Sequence, residues 1–262
     1  MIKKKLGLVL SGGGARGIAH IGVLKALEEL EMKPDIVSGT SSGAIIGAFY
    51  ACGYSADEIK AIIISNSIFH LSDIALNSSA LFKTKANEAM YDKYFEQRHF
   101  SDLKTPLYIA TTDLLTGSTI FYSSGELAKA VIASSAIPVL FEPVRYGNRL
   151  LIDGCCTCSF PTEPLVGTCD LLIGVHTNPA KKIATMSGMM NILDRSIHLS
   201  YQREVLEKVG HCDLFIEPPQ LNNYGMFDFK KVNEIVDIGY YFTHGLSRKL
   251  LSLKKLIDPL KI

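Results

Sequence analysis

The chain has 262 residues, of which 47% are hydrophobic and 20% are charged, a composition typical of folded globular proteins rather than disordered or fibrous ones. The 27 Lys and Arg residues balance the 26 Asp and Glu residues, so no net charge favours nucleic acid as a partner. The length fits one α/β domain over residues 1–262.

The sequence carries no pattern typical of secretion or of a membrane span. The apolar run Leu6–Leu10 follows three lysines but is shorter than the roughly 7 residues of a signal-peptide core. The run Ala44–Cys52 falls short of the roughly 18 residues that suggest a span. We therefore expect a cytoplasmic protein, with peripheral contact at the inner face of the membrane left open.

In the first third of the chain, short apolar runs alternate with helical periodicity. The predicted elements are a strand over Leu6–Leu10, a helix from Ile18 to Leu30, a strand at Ile36–Val37, a tight turn over Gly39–Gly43, a helix over Ala44–Cys52 and a helix to Ile64 that opens with a capping box at Ser55 and Glu58.

The later part continues the alternation. Predicted strands lie at Leu107–Ala110, Thr119–Tyr122, Leu150–Ile152, Leu171–Val175 and Leu214–Ile216, and predicted helices at Glu126–Ala133 and Met189–Val209. Such alternation favours a mostly parallel sheet with helices on both faces, a three-layer α/β/α sandwich. The intervening segment 66–100, rich in scattered aromatic residues, is interpreted equally as a lid facing substrate or as a helical connection packed on the sheet.

A candidate nucleophile lies between the second strand and its helix. Gly39-Thr40-Ser41-Ser42-Gly43 fits Gly-x-Ser-x-Gly, the nucleophile elbow, in which glycines keep side chains away from the neighbouring strand and helix. Such a turn raises the Ser41 hydroxyl at a helix N-terminus, where developing negative charge is favoured. Ser42 is off-centre in the motif and is predicted to form a helix-start hydrogen bond.

A glycine loop follows the first strand and opens a helix. Gly12, Gly13, Gly14 and Gly17 leave backbone N–H groups accessible to an anion, which makes the loop a candidate oxyanion hole. Arg16 either holds the shape of this loop or attracts an anionic part of a substrate, and both roles stay open.

The same glycines fit the dinucleotide fingerprint Gly-x-Gly-x-x-Gly. That fold places an acidic residue at the end of the second strand to bind ribose, whereas here the strand runs into Gly39, and Asp35 precedes it. A Walker-type phosphate loop fits less well, because neither glycine cluster is followed by Gly-Lys-Ser or Gly-Lys-Thr. Nucleotide cofactors are therefore disfavoured.

The motifs taken together resemble those of patatin-like phospholipases. The resemblance rests on the Gly-Gly-Gly-x-Arg-Gly loop, the Gly-Thr-Ser-Ser-Gly elbow and Asp153-Gly154, in that order and spacing. Further pieces extend it over nearly the whole chain: Thr112-Asp113, the stretch Ala133–Pro138 with Phe141 and Pro143, Phe227-Asp228-Phe229 and Gly239-Tyr240.

The resemblance implies a patatin-like α/β sandwich that hydrolyses lipid acyl esters through a Ser41–Asp153 dyad, with an oxyanion loop at Gly12–Gly14 and no metal or cofactor. Cys155 is a departure, since many members carry glycine or alanine after Asp-Gly, and it puts substrate fit in doubt more than mechanism. Asp-Gly is also a common turn pair, so Asp153 on its own would suggest a turn.

Neither the cysteines nor the histidines form a telling motif. The clustered Cys155, Cys156 and Cys158 lack a matching second group, so a zinc site is not predicted, and we expect all six cysteines to be reduced thiols. A Ser–Asp–His triad would need His176, His198, His211 or His244 as its base.

We expect Asp153 to be the base without a histidine. Activity should then persist below the pH at which a histidine is protonated, unless burial raises the aspartate pKa.

The tail over residues 245–262 alternates basic residues with leucines. It is predicted either to lie on an anionic membrane surface or to dock as a terminal helix on the domain. For the whole chain, the principal hypothesis is a carboxylic ester hydrolase acting on lipids. The alternative is a non-catalytic or regulatory protein that keeps the fold and binds a partner or an acyl lipid, which would have no need for the serine, the aspartate and the glycine loop together.

Overall fold

The computed structural model describes residues 4–66, 91, 93–95, 98–179 and 185–257. Its strands are β1 (Leu6–Leu10), β2 (Ile36–Thr40), β3 (Leu107–Asp113), β4 (Ser118–Tyr122), β5 (Val144–Tyr146), β6 (Arg149–Asp153), β7 (Leu171–Val175) and β8 (Leu214–Ile216). Its helices are α1 (Ala19–Glu29), α2 (Ser42–Cys52), α3 (Ala56–Asn66), α4 (Leu127–Ser134), α5 (Met189–Lys208), α6 (Val232–Gly245) and α7 (Ser247–Ile257).

The strands form one sheet in the order β5-β6-β3-β2-β1-β7-β8, with β4 paired to β3. The central pairs β3–β2, β2–β1, β1–β7 and β7–β8 are parallel. The pairs that involve β4, β5 and β6 are antiparallel. The glycine loop and the elbow both follow parallel strands, and therefore lie at the same, carboxyl-end edge of the sheet.

Both faces of the sheet are covered, which gives three layers. Successive strand side chains point to opposite faces, so Leu8 and Leu10 of β1 join the core beneath α1, α2, α3, α4, α6 and α7. Val9 joins a second, smaller core with Phe160 and with Val205 of α5. The chain therefore has the α/β sandwich that the alternation of elements predicts.

Close backbone packing holds α6 against α1. A Cβ added to Gly239 would collide with the carbonyl oxygen of Ala19, and one added to Gly22 would collide with that of Val236. The two glycines thus let the helices approach more closely than side chains would permit. This contact fixes the start of α1, and with it the end of the glycine loop.

Most predicted elements appear, several of them one to three residues longer than predicted. The capping box is formed, with the backbone N–H of Ser55 donating to the Glu58 carboxylate at 2.8 Å. The short strand β5 and the helix α6 were not predicted. Apart from a few residues, the segment 66–100 lies outside the described part of the chain. Of those few, Tyr91 and Phe95 are buried, and the Phe95 ring lies 4.8 Å from that of Phe49.

The tail contains a helix docked on the domain. Leu250 and Ile257 of α7 are buried in the main core, and the Lys254 ammonium donates to the carbonyl of Leu30 at 2.8 Å. Its exposed side carries basic residues, Arg248, Lys249 and Lys255, beside Leu251 and Leu256. Within the described ranges, no helix combines the length and apolar character needed to cross a bilayer.

Candidate active site

Ser41 lies at the sharp turn from β2 into α2. Its backbone has φ 53° and ψ −122°, a conformation that residues with side chains rarely adopt and that stores strain at functional sites. The Ser41 N–H donates to Ser134 Oγ at 2.9 Å, and the Ser134 hydroxyl donates to the carbonyl of Ala110 at 2.7 Å. Helix α4 and strand β3 thus hold the strained turn through one side chain.

Two glycines make this turn sterically feasible. A Cβ on Gly43 would collide with the carbonyl oxygen of Leu10 in the neighbouring strand. A Cβ on Gly39 would lie 2.5 Å from the carbonyl oxygen of Gly43, where α2 begins. The glycines of the Gly-x-Ser-x-Gly motif are therefore required sterically, because the elbow has no room for a side chain at either position.

Asp153 reaches the elbow from the antiparallel side of the sheet. Strand β2 pairs with the first half of β3, ending with Thr40 opposite Ala110. Strand β6 pairs with the second half, ending with Asp153 opposite Thr111. Since β4 occupies the other edge of β3, β2 and β6 meet end to end, and the next residue of β2's chain is Ser41.

The two side chains are hydrogen-bonded. Ser41 Oγ donates to Asp153 Oδ2 at 2.7 Å, and the backbone N–H of Cys155 donates to Asp153 Oδ1 at 2.8 Å. The Thr112 hydroxyl donates to the Asp153 carbonyl oxygen at 3.0 Å, which fixes the backbone of the aspartate. Asp153 also caps the short 3-10 helix Gly154–Cys156, so it occupies a turn as well.

Burial changes the acidity of Asp153. The residue is only 3% exposed, and burial raises its pKa from 3.8 to about 6, because the charged carboxylate loses its water. The hydrogen bonds from Cys155 and Ser41 oppose this effect, since they favour the ionised form. Asp153 is therefore a stronger base than an exposed aspartate.

The glycine loop presents two backbone donors beside Ser41. The N–H of Gly12 already donates to the carbonyl of Ser159 at 3.0 Å, and that of Ala15 donates to the carbonyl of Met226 at 2.9 Å. In the part of the chain that the structure describes, the N–H groups of Gly13 and Gly14 have no hydrogen-bond acceptor. Both glycines line the same cavity as Ser41.

Arg16 and Gly17 lie behind the loop. Arg16 is only 5% exposed, and its Nη1 donates to the carbonyl of Tyr224 at 3.4 Å. A Cβ on Gly17 would collide with Ser42 Oγ, so the loop packs directly against the first turn of α2. Ser42 Oγ is buried without a hydrogen-bond partner among the described residues, so the helix-start hydrogen bond predicted for it is not formed. Of the two roles left open for Arg16, its burial favours holding the loop's shape.

A cavity of about 230 Å³ opens above the dyad. Gly13, Gly14, Ser41 and Asp153 lie in its wall, and its remaining lining is mainly apolar, including Ile137, Pro138, Val139, Ile197, Tyr201 and Met226. Val139 is 67% exposed and has φ 72°, a strained backbone for a β-branched residue. The polar groups are thus set in a surrounding that suits an apolar chain.

Two of the three clustered cysteines, Cys155 and Cys156, line the cavity. A Cβ on Gly12 would collide with Cys155 Sγ, so that thiol lies against the glycine loop. Burial of the Cys156 thiol raises its pKa to about 12. Cys158 is buried, with its sulfur 3.4 Å from Lys208 Nζ. Within the described ranges, no group of three or more His, Cys, Asp and Glu side chains could hold a metal ion.

The candidate triad histidines have other partners. His176 Nδ1 lies 2.7 Å from the Glu217 carboxylate, and His211 Nδ1 lies 2.9 Å from the hydroxyl of Thr162. His198 Nε2 lies 2.5 Å from the carbonyl oxygen of Asn178, and burial lowers the pKa of this histidine to about 4. None of the six histidines in the described part of the chain forms a hydrogen bond with the dyad.

The family model for patatin-like phospholipases matches residues 8–166, which include the glycine loop, Ser41 and Asp153. The chain belongs to the patatin-like phospholipase family. Its fold is shared with two solved structures: VipD from Legionella pneumophila, with a TM-score of 0.57 at 15% identity over 94% of this chain and 67% of that one, and human GIVD cytosolic phospholipase A2, with a TM-score of 0.52 at 11% identity over 95% and 59%.

Sequence relatives of this patatin-like chain are longer proteins. It is 29% identical to human patatin-like phospholipase domain-containing protein 6, over 97% of this chain and 21% of that protein. It is 31% identical to lysophospholipase NTE1 of Coccidioides immitis, over 91% and 17%, and 29% identical to an NTE family protein of Mycobacterium bovis, over 90% and 45%. The chain spans less than half the length of each.

Several residues around the site carry no role in the sequence-based prediction. Ser134 lies within a stretch that supports the family resemblance, yet nothing in the pattern indicates that its hydroxyl would hold Ser41. Asn178 and Thr177 follow β7, the parallel neighbour of β1. The rule that ligands bind at the carboxyl ends of parallel strands was the available signal for these two residues.

Proposed function

We propose that this protein is a serine-dependent lipid acyl hydrolase of the phospholipase A or esterase type, with Ser41 as nucleophile and Asp153 as general base. The observation that carries the proposal is the 2.7 Å hydrogen bond from Ser41 Oγ to Asp153 Oδ2 at the wall of an apolar cavity. A nucleophile bonded to a buried base is the arrangement that acyl transfer requires.

In the first half of the reaction, Ser41 Oγ attacks the ester carbonyl carbon while its proton moves to Asp153 Oδ2. The carbonyl oxygen becomes an oxyanion, which the free N–H groups of Gly13 and Gly14 stabilise. The intermediate collapses when the C–O bond to the leaving alcohol breaks, and Asp153 returns its proton to that alcohol. Ser41 is then an acyl ester.

In the second half, water takes the place of the leaving alcohol. Asp153 is ionised again and accepts a proton from the water, while the water oxygen attacks the carbonyl carbon of the acyl-serine. The second oxyanion accepts hydrogen bonds from the same N–H groups of the glycine loop. The proton then passes from Asp153 to Ser41 Oγ as the bond between Ser41 Oγ and the acyl carbon breaks. The fatty acid leaves, and the 2.7 Å hydrogen bond re-forms.

The raised pKa of Asp153 suits this role. Transfer of a proton from a serine hydroxyl is easier to a stronger base, and a catalytic pKa near the working pH gives the best compromise between basicity and ionised fraction. Burial that brings the pKa to about 6 leaves Asp153 mostly ionised at pH 7 and more basic than an exposed aspartate. A histidine is then not needed to supply basicity in the neutral range.

The apolar lining favours an acyl chain as the group next to the scissile ester. Ile137, Ile197 and Met226 offer no hydrogen bonds that would select a polar acyl group. Because the fungal relative is named a lysophospholipase, a single-chain phospholipid is the first substrate to test. We propose peripheral contact with a lipid aggregate, for which the exposed Val139 at the cavity is the best-placed apolar residue.

The test uses a fluorophosphonate that phosphonylates activated serines. We expect labelling of the wild-type protein and none of Ser41→Ala, while Ser42→Ala keeps a substantial fraction of both labelling and ester turnover. Ser42 is the matched control, since it is the adjacent buried serine. A panel of p-nitrophenyl esters and lysophospholipids of graded chain length then defines the substrate. Folded wild-type protein that neither labels nor turns over any ester would favour the alternative, a lipid-binding or partner-binding role.

A further inference from the structure

Three side-chain donors converge on one backbone oxygen beneath the glycine loop. Asn178 Nδ2 donates to the carbonyl oxygen of Gly12 at 2.7 Å, Ser11 Oγ at 2.9 Å and Thr177 Oγ1 at 3.2 Å. All three donor residues are 0–1% exposed. A backbone carbonyl has two lone pairs, so three donors on one oxygen are more than packing alone would require.

The oxygen and the free Gly13 N–H belong to the same peptide unit. A trans peptide is planar, with its C=O and N–H pointing in opposite directions, and the described chain has no cis peptide bond. The donors that hold the Gly12 oxygen on the inner side therefore aim the Gly13 N–H outward. Gly13 lines the cavity beside Ser41, so outward is toward the reacting carbonyl.

We infer that Asn178, assisted by Thr177 and Ser11, is a positioning residue that orients and polarises the Gly12–Gly13 peptide as an oxyanion donor. The inference rests on the proposed ester hydrolysis for its catalytic meaning, while the peptide geometry stands on the contacts alone. Asn178 touches no substrate; it acts through the N–H of Gly13.

Two physical effects make this arrangement useful. Donors on a carbonyl oxygen withdraw electron density through the amide and strengthen its N–H as a donor, because hydrogen bonds in a chain polarise one another. The site is also fixed before substrate arrives, so no reorganisation is needed when the oxyanion forms. The backbone of Asn178 is itself held, since its main-chain carbonyl oxygen lies 2.5 Å from His198 Nε2 in α5.

The kinetic experiment compares variants that remove one donor at a time. Asn178→Asp keeps the shape and loses the donor, and Thr177→Val removes the longer bond at similar volume. Thr162→Val is the matched control, because Thr162 is equally buried and its hydroxyl bonds to His211 instead. With a soluble short-chain ester we expect kcat to fall about 10-fold or more for Asn178→Asp, part of the 10²–10³-fold that loss of a whole donor costs.

Thr177→Val should lose less activity, Thr162→Val should keep its kcat, and KM should change little in all three. Ser41 adds to the carbonyl of a trifluoromethyl ketone to form a stable oxyanion. In each variant, the affinity for this inhibitor should fall by the same factor as kcat/KM. If Asn178 had a merely structural role, the loss of activity would follow the loss of thermal stability in every variant, Thr162→Val included. Equal kcat in Asn178→Asp and wild type would overturn the inference.

A second readout does not depend on turnover. The ¹⁵N chemical shift of the Gly13 amide responds to hydrogen bonds on the Gly12 carbonyl, and it should move in Asn178→Asp and less in Thr177→Val. An unchanged Gly13 resonance in a folded Asn178→Asp protein would overturn the peptide geometry. Failure of the proposed function appears elsewhere, as a wild-type protein without Ser41 labelling or turnover, so the two failures are distinguishable.

Discussion

Thr40 and Asp153 end two strands that approach each other from opposite directions along one edge of β3, where they pair with consecutive residues. The spacing between Ser41 and Asp153 is therefore set by a single step along a buried strand instead of by loops. A strand-fixed pair keeps its geometry without substrate, which is the condition for a preorganised site.

The first prediction concerns the base. Asp153→Asn should lower kcat roughly 10²-fold or more, the usual scale for loss of a general base. In wild-type protein, kcat should fall as the pH drops through about 6, because only the ionised Asp153 accepts a proton and burial raises its pKa to about 6. The expectation of activity well below that pH applied only to an aspartate whose pKa burial does not raise. Full activity at pH 4 would contradict the assignment.

The same substitution has a stability signature that separates charge burial from catalysis. Folding raises the pKa of Asp153 from 3.8 to about 6, so the ionised form destabilises the folded state above pH 6, by roughly 3 kcal/mol. This cost disappears as the pH falls below about 4, where both states are protonated. Asp153→Asn should thus unfold at higher temperature than wild type at pH 7.5, with the difference shrinking in acid.

A second prediction tests the glycine loop. A Cβ on Gly13 would collide with Thr177 Oγ1, so Gly13→Ala should displace the donor peptide and lower kcat far more than it raises KM. Gly210→Ala is the control, since nothing lies within 4 Å of its added Cβ. Steady-state kinetics on a soluble ester measure both constants, and a pure KM effect in Gly13→Ala would indicate a binding loop instead.

The third prediction concerns the histidines. His176→Ala, His211→Ala and His244→Ala should each keep most of the activity, because their side chains form no hydrogen bond with Ser41 or Asp153 in the structure. His198→Ala should lose a moderate part, through its contact with Asn178, and remain well above Asp153→Asn. The pH profile alone does not distinguish Asp153 from a histidine base, because a histidine with an ordinary pKa of about 6.5 would titrate in the same range. The histidine variants do distinguish them. One folded histidine variant as inactive as Asp153→Asn would require a triad.

The fourth prediction concerns α7. Truncation of residues 245–262 removes the buried Leu250 and Ile257 from the core, and each buried side chain contributes roughly 1.5–3 kcal/mol, so the truncated protein should be unstable or insoluble. The membrane hypothesis is better tested by Arg248→Gln, Lys249→Gln and Lys255→Gln combined.

If the exposed basic side of α7 binds anionic vesicles, this triple variant should lose roughly 1 kcal/mol of vesicle binding for each charge at unchanged melting temperature. Co-sedimentation with vesicles measures it, and Lys230→Gln, another exposed lysine, is the control. Equal co-sedimentation of the triple variant and wild type would leave α7 with its docking role alone.

The sequence predicted best where local pattern and burial agree. Strands β1, β7 and β8 have the predicted bounds, since each is a short apolar run whose side chains are fully or mostly buried. Strand β5 was missed because Val144–Tyr146 has the exposed, charged Arg145 at its centre and is flanked by Pro143 and Gly147. Short edge strands depend on their partner, here β6, and carry little periodicity of their own.

The site could be predicted only as far as its motifs extend. Gly-x-Ser-x-Gly and the glycine loop are local, so the elbow and the loop were visible in the sequence. Asp153 came from the family resemblance, because a pairing across 112 residues has no local signature. Ser134 and Asn178 were missed for a related reason. Their hydroxyl and amide bind backbone groups far along the chain, and polar side chains of these types are also favoured in turns and caps.

One turn of α5 serves the site from two sides. Ile197 and Tyr201 form part of the cavity wall, and His198 between them reaches the backbone of Asn178. An acyl chain long enough to push on Ile197 would therefore also shift His198, and with it Asn178, which orients the Gly12–Gly13 peptide. In the proposed hydrolase, such mechanical linkage would make the speed of the chemical step depend on chain length, so that a poorly fitting lipid could bind well and still react slowly.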